Sequence, residues 1–223
     1  MVLASWIRRN RLQLLVHLGA LAPASVLAWN YWQGLFLVDP IKEITVTTGK
    51  TALILLVLTL ACTPINTLLG LKEVLRLRRT LGLYTFGYAA LHFLTFVGLD
   101  YAFAWDLIVD AALFQRFTVV GLAAGLILLA LAVTSTRGWM KRLGKGWKRL
   151  HRLVYLAGVL VVIHFLWAVK DAREPMTYGG IVVALLVLRI PAVRQAAARL
   201  RRRLKSELRS WPVLRTWWMG TGR

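Results

Sequence analysis

The stretch Leu153–Val169, LVYLAGVLVVIHFLWAV, contains no charged residue but includes a histidine, His164. A second uncharged stretch, Thr80–Leu99, contains His92 in a comparable position. Each stretch is close to the roughly 20 residues that a helix needs to cross the hydrocarbon core. A titratable ring is costly there, so an intramembrane histidine predicts a functional role. Binding a metal keeps a buried imidazole neutral and satisfied, and in a helix bundle this predicts haem iron.

The rest of the chain fits a membrane setting. It is 58% hydrophobic and only 17% charged, with a mean hydropathy of +0.62. We therefore predict an all-α integral membrane bundle of six transmembrane helices, in which Arg189 snorkels to the headgroups from near the end of the last helix. Besides the two stretches above, the predicted spans are Leu12–Trp32, Thr51–Leu71, Phe117–Thr136 and Pro175–Val193.

The basic residues predict the orientation of this bundle. If both termini are cytoplasmic, all but five of the 29 Lys and Arg lie on the cytoplasmic side. All but two of the nine Asp and Glu then lie in the outer loops. This positive-inside pattern accounts for the net charge of +20. We therefore predict contact with membrane lipid and no nucleic-acid partner.

Two regions follow from this arrangement. Residues 1–193 are predicted to form the six-helix haem-binding transmembrane domain, and residues 194–223 a basic cytoplasmic tail. The segment Ala192–Leu208 favours a helix, and its clustered arginines are typical of a helix that lies on the membrane surface.

His92 and His164 are predicted to lie at matched depth. A basic residue precedes each of the two helices. His92 follows Arg79, and His164 follows Arg152, by nearly the same number of residues. At about 1.5 Å per residue, both rings are expected some 18–20 Å from the inner interface. Two imidazoles at one depth can hold one porphyrin iron from both sides, which suits electron transfer rather than oxygen chemistry. The alternative is a pair of packing histidines bonded to neighbouring carbonyls.

The other two histidines are weaker candidates for iron ligands. His151 lies at the cytoplasmic interface, on a different face of its helix from His164, and the helix of His92 offers no second histidine. An inner haem would need another partner, and His17 is the remaining one, although it could simply hydrogen-bond within the bundle. The basic residues beside His151 could pair with a phosphate or propionate. They are Lys145, Lys148 and Arg149.

Short motifs along the chain, up to about residue 190, carry a family resemblance. The motifs are His17-Leu18-Gly19 followed by Pro23, Asp39-Pro40, Gly49-Lys50-Thr51-Ala52-Leu53, Thr63-Pro64, Arg78-Arg79-Thr80-Leu81-Gly82-Leu83, Leu91-His92, Thr134-Ser135-Thr136, Leu143-Gly144-Lys145, Trp147, Leu150-His151, Val154-Tyr155-Leu156, His164 and Leu166-Trp167. In these residues the chain resembles the haem-binding membrane subunits of bacterial periplasmic protein-methionine-sulfoxide reductase systems, the MsrQ (YedZ) family, which belongs with the ferric-reductase-like transmembrane domains.

The resemblance implies a role in the bacterial inner membrane. It implies b-type haem and FMN as cofactors, with His92, His151 and His164 as the family's histidines. It also implies electron transfer from the quinone pool or a cytoplasmic flavin reductase to a periplasmic molybdopterin-containing catalytic subunit that reduces methionine sulfoxide in oxidised envelope proteins. Nothing else in the sequence marks an FMN site.

Two alternatives belong to other functional classes. One is a transporter, although no acidic residue lies inside a predicted span, where proton and cation relays usually need one. The other is a structural membrane anchor for a periplasmic enzyme, with incidental histidines. Only the electron-transfer hypothesis predicts haem absorbance that changes on reduction with dithionite.

The charge distribution predicts the result of a topology experiment. A reporter fused after Arg215 should be active in the cytoplasm, and one fused after Asp106 in the periplasm, because basic loops stay inside. A periplasmic signal from the Arg215 fusion would contradict the six-helix arrangement.

Overall fold

A computed structural model describes residues 2–35 and 39–210, with side chains described for residues 10–35 and 39–203. The described residues form helices and no β-strand, which confirms the all-α prediction. A π-helical turn, Phe96–Asp100, extends the third helix. The α-helices are α1 (Val2–Trp32), α2 (Pro40–Leu69), α3 (Val74–Thr95), α4 (Trp105–Phe114), α5 (Arg116–Val133), α6 (Arg137–Leu143), α7 (Lys145–Leu150), α8 (Leu153–Ala168), α9 (Arg173–Val187) and α10 (Pro191–Ser210).

Five spans among the described residues are long and apolar enough to cross a membrane, so the chain is a multi-pass membrane protein. The sixth predicted span, Pro175–Val193, is not one continuous helix. The chain bends by 80° between α9 and α10, and these two helices count as a span only if taken together. α9 alone has 15 residues, or about 22 Å, which is short for a bilayer crossing. The orientation of the termini stays a prediction.

Helix α2 begins eleven residues before the predicted span Thr51–Leu71. The Asp39 carboxylate accepts a hydrogen bond from the backbone N–H of Lys42 at 3.0 Å, and Pro40 occupies the first turn, so the start of the helix is well capped. The predicted span begins directly after Lys50 and lies almost wholly within α2, but it does not include the charged first turns of the helix. Lys50 forms an ion pair with Glu174 on α9 at 2.8 Å.

Two clusters of buried residues hold the helices together. One joins α1, α2 and α3, with Leu55 and Tyr88 among its members, and it includes the free thiol of Cys62. The other joins α2, α5 and α8 through Leu56, Leu128 and Ala157. α2 belongs to both clusters and is therefore the central helix. In the part of α1 whose side chains are described, residues 10–32, more than half of the side chains are exposed, as expected of a lipid-facing helix.

The chain between the spans is more helical than predicted. α4 lies in the predicted outer loop and packs against α5, while α6 and α7 fill the basic segment before His151. α10 packs against α2. The predicted tail therefore begins inside a docked helix, and its residues 211–223 lie outside the described residues.

Pro64 inside α2 explains the position of Arg189. Proline has no N–H, so the Leu60 carbonyl loses its normal partner four residues later. The Arg189 guanidinium donates to this oxygen at 2.6 Å and to the Tyr155 hydroxyl at 2.7 Å. The prediction that Arg189 snorkels to the headgroups was wrong, because the unpaired carbonyl offers the guanidinium a buried partner.

This arrangement predicts a double-mutant cycle. Arg189→Met should destabilise the protein by about 1–3 kcal/mol, because it leaves a buried carbonyl unsatisfied. The same change in a Pro64→Ala background should cost measurably less, because the new N–H can pair with the Leu60 oxygen. Thermal unfolding in detergent measures both costs, and equal costs in the two backgrounds would contradict this account.

Candidate functional site

The structure brings His92 of α3 and His164 of α8 together. Their ring centroids are 6.0 Å apart, and the two rings are nearly perpendicular. Both side chains are half-buried. The matched depth inferred from the sequence thus corresponds to a contact between the rings.

Each ring is held by a backbone carbonyl of a neighbouring helix. Nδ1 of His92 lies 2.9 Å from the Thr45 oxygen on α2, and Nδ1 of His164 lies 2.7 Å from the Phe117 oxygen on α5. A carbonyl oxygen only accepts, so Nδ1 must carry the proton and donate. In a neutral ring the lone pair then lies on Nε2, which is the arrangement of a metal-binding histidine oriented by an outer hydrogen bond.

A glycine makes room for each ring. Gly49 on α2 lies one helical turn after Thr45, and Gly121 on α5 lies one helical turn after Phe117, the two residues whose carbonyls accept these hydrogen bonds. A Cβ at Gly49 would lie 3.1 Å from Nδ1 of His92, and a Cβ at Gly121 would lie 2.6 Å from Nδ1 of His164. Each imidazole therefore rests directly on the backbone of the neighbouring helix, where a larger residue would displace it.

The two halves of the site repeat one pattern. Each histidine follows its carbonyl partner by 47 residues. Residues 45, 49 and 92 of the first half correspond to residues 117, 121 and 164 of the second half. The difference in residue number is the same for all three positions. The pair α2–α3 and the pair α5–α8 therefore present their histidines in the same way.

The donor set fits haem better than an isolated metal ion. Among the described residues, no group of three or more His, Cys, Asp and Glu side chains comes together. A zinc site needs at least three protein ligands, whereas porphyrin supplies four nitrogens and needs only axial ligands.

His151 lies in a different environment. Its ring stacks on Trp147, with centroids 4.0 Å apart, and its Nε2 lies 3.2 Å from the Thr134 hydroxyl. That hydroxyl donates to the Ala130 carbonyl at 2.6 Å, so it accepts from His151, and Nδ1 holds the lone pair. The indole of Trp147 donates to the Thr134 carbonyl at 2.9 Å, which ties α7 to the end of α5.

The remaining candidates lie apart from the histidine pair. Nδ1 of His17 lies 2.8 Å from the Tyr84 hydroxyl, which corresponds to the hydrogen-bonding alternative for this residue. Three basic candidates are exposed on α7, the helix that leads to His151, where they are accessible to an anion. They are Lys145, Lys148 and Arg149.

Comparison with known proteins identifies the family. Residues 48–162 match the family described as ferric reductase like transmembrane component. The protein-methionine-sulfoxide reductase heme-binding subunit MsrQ of Xanthomonas axonopodis pv. citri (strain 306) is 46% identical over 195 residues, which are 83% of this chain and 89% of that protein. The protein of the same name from Caulobacter vibrioides (strain ATCC 19089 / CIP 103742 / CB 15) is 41% identical over 187 residues, again 83% and 89% of the two chains. The chain belongs to the MsrQ family.

This result confirms the resemblance inferred from the short motifs. The ferric-reductase match contains both glycines and His92, and it ends just before His164. No solved structure matches the chain.

The sequence analysis predicts His92 and His164 as site residues but not the residues that contact them in the structure. Gly49 appears there only within a motif, and Gly121, Thr45 and Phe117 are not among its candidate residues. The equal spacing from each glycine to its histidine is present in the sequence and could have pointed to both pairs. The carbonyl partners leave no such signal, because a backbone oxygen does not depend on the side chain.

The glycine contacts predict graded effects of alanine. Gly121→Ala should displace His164, because the new Cβ would lie 2.6 Å from Nδ1 of that ring. The purified protein should then contain less haem, and its haem spectrum should shift. Gly49→Ala should have a smaller effect, because its contact is 3.1 Å. Gly125→Ala is the matched control on α5, since nothing lies within 4 Å of its Cβ position. Equal effects at Gly121 and Gly125 would contradict the proposed support of the ring.

Proposed function

We propose that this chain is the electron-transferring membrane subunit of a methionine sulfoxide reductase system, with His92 and His164 as the axial ligands of a b-type haem. The observation that carries the proposal is the 6.0 Å pair of imidazoles, each with Nδ1 bonded to a carbonyl. The relatives' description as heme-binding subunits of a protein-methionine-sulfoxide reductase supports it.

The chain's own residues provide a prepared axial pair. The Thr45 and Phe117 carbonyls hold each ring in the tautomer that binds iron through Nε2, and the adjacent glycines set how closely each ring approaches its neighbouring helix. Haem bound here would supply an iron that accepts and releases one electron. If His92 and His164 both held that iron, no position would be left open to oxygen, which would favour electron transfer.

The finer features follow the family resemblance. We propose that the subunit lies in the bacterial inner membrane and serves a periplasmic molybdopterin-containing catalytic subunit. Its electrons would come from the quinone pool or a cytoplasmic flavin reductase. FMN or a second haem near His151 would shorten the distance from such a donor, and the exposed Lys145, Lys148 and Arg149 are available to an anionic group there.

Histidine substitutions test the proposed ligand pair. His92→Ala and His164→Ala should each remove the same haem, measured as the dithionite-reduced spectrum and the pyridine haemochrome content of purified protein. His17→Ala should keep that haem, because His17 bonds to Tyr84 and not to the pair. His151→Ala should affect a different centre or have a milder effect. Full haem content with an unchanged spectrum in both His92 and His164 variants would refute the ligand assignment, and identical losses in all four variants would indicate misfolding.

Reconstitution tests the direction of electron flow. Membranes that contain the protein, a quinol or flavin-reductase donor and the catalytic subunit should reduce methionine sulfoxide. Neutralising Lys145, Lys148 and Arg149 together should slow haem reduction without altering the spectrum of the His92–His164 centre. Unchanged kinetics with either donor would remove the case for an inner redox centre at this segment.

A further inference from the structure

A second site lies at the opposite end of α2 from its Pro40 start. Here an open cavity of about 720 Å³ lies between the ends of α2 and α3 and helix α10. It contains no residue of the His92–His164 site. Its lining residues are Thr63, Asn66, Thr67, Leu75, Arg78, Arg194, Gln195, Ala198, Arg199, Arg201 and Arg202.

The lining of this basic cavity has an excess of positive charge. Five of its residues are arginines, and no Asp or Glu of the described residues lines it. The ion pair found in the described part of the chain, Lys50–Glu174, is at the other end of the bundle. Guanidinium groups gathered around one space repel each other, so an anion in that space would stabilise the arrangement.

One of the five arginines already has a structural role. Gly70 ends α2 in the left-handed region, with φ at 78°, and a Cβ there would overlap the Arg201 guanidinium. Arg201 therefore lies against the C-terminal end of α2, where the last carbonyls carry partial negative charge. This contact docks α10 and leaves four arginines for a ligand. They are Arg78, Arg194, Arg199 and Arg202.

An independent observation is the side chain of Thr63. Along the same helix, Thr59 and Thr67 donate their hydroxyls to the carbonyls four residues earlier. The Thr63 hydroxyl is buried yet has no hydrogen-bond partner among the described residues. A buried hydroxyl without a partner is costly. Thr63 belongs to the cavity wall, so rotation about its Cα–Cβ bond would bring the hydroxyl to a ligand oxygen that satisfies it.

We propose that the basic cavity binds the phosphate group of an anionic ligand. Guanidinium groups bind phosphate oxygens through paired, charge-assisted hydrogen bonds, and Thr63, Asn66 and Gln195 add neutral partners. The volume exceeds that of a phosphate ion and falls in the range of pockets for organic ligands. The headgroup of an anionic phospholipid and a soluble phosphomonoester such as FMN share this chemistry. The proposal does not depend on haem at His92 and His164.

The test separates the two sources of phosphate. In one arm, the full chain is reconstituted in nanodiscs with increasing phosphatidylglycerol or cardiolipin in phosphatidylcholine, and bound lipid is counted by native mass spectrometry. In the other arm, phosphatidylcholine nanodiscs are titrated with FMN, and binding is followed by flavin fluorescence. Saturable binding in one arm identifies the source of the phosphate, and it supports the cavity where the cavity variant described next weakens it. No saturable binding in both arms overturns the proposal.

A matched pair of variants locates the binding. The cavity variant carries Arg78→Gln, Arg194→Gln and Arg199→Gln, and the control carries Arg76→Gln, Arg79→Gln and Arg137→Gln, which removes the same charge outside the cavity. The cavity variant should lose roughly tenfold or more in affinity, and the control less than about twofold. Equal losses would overturn the proposal in favour of general attraction to a basic surface.

A milder variant guards against misfolding. Thr63→Val removes only the hydroxyl that lacks a partner, so ligand affinity should fall while the melting temperature without ligand stays unchanged or rises. Unchanged affinity in Thr63→Val, together with unchanged affinity in the arginine variant, would show that the ligand binds elsewhere.

Discussion

The hydrogen bond from each histidine Nδ1 to a carbonyl of a neighbouring helix is the constraint on which the site depends. It fixes the tautomer and direction of both rings at once, and it requires α3 to lie against α2 and α8 against α5. It also explains the glycines, because the ring can reach a helix carbonyl only where no side chain intervenes. The chemistry of the pair and the packing of the bundle therefore follow from the same contacts.

The repeat of this contact gives the part of the bundle around His92 and His164 a symmetry that the region around His151 lacks. With the same offset that relates His92 to His164, the counterpart of His151 is Arg79. One helix pair thus has a histidine where the other has an arginine. In the structure His151 stacks on Trp147 and bonds to Thr134 instead of facing another histidine. The contact between His92 and His164 therefore has no counterpart at this position.

Helix α2 supports both ends of the molecule because its irregularities are compensated by other helices. Pro64 leaves the Leu60 carbonyl without its helical partner, and Arg189 donates to it from beyond the end of α9. Gly70 ends α2 in a conformation that suits glycine, and Arg201 of α10 lies against it. Arg189 lies in the bend between α9 and α10 and Arg201 lies beyond it, so this part of the chain contacts α2 both at the bend and along α10.

The sequence by itself determined the all-helical membrane class, the positions of most spans and the two central histidines. Hydrocarbon permits long uncharged helices and penalises an isolated imidazole, and both effects depend on residue type alone. It did not determine where α2 begins, since an N-cap and an ion pair with Glu174 stabilise a charged first segment that resembles a loop. Only the tertiary structure decided which carbonyls accept from the two histidine rings, why Arg189 contacts α2 and not the lipid headgroups, and which residues of α10 line a cavity. These features depend on backbone atoms and on helices distant in sequence, which residue types do not specify.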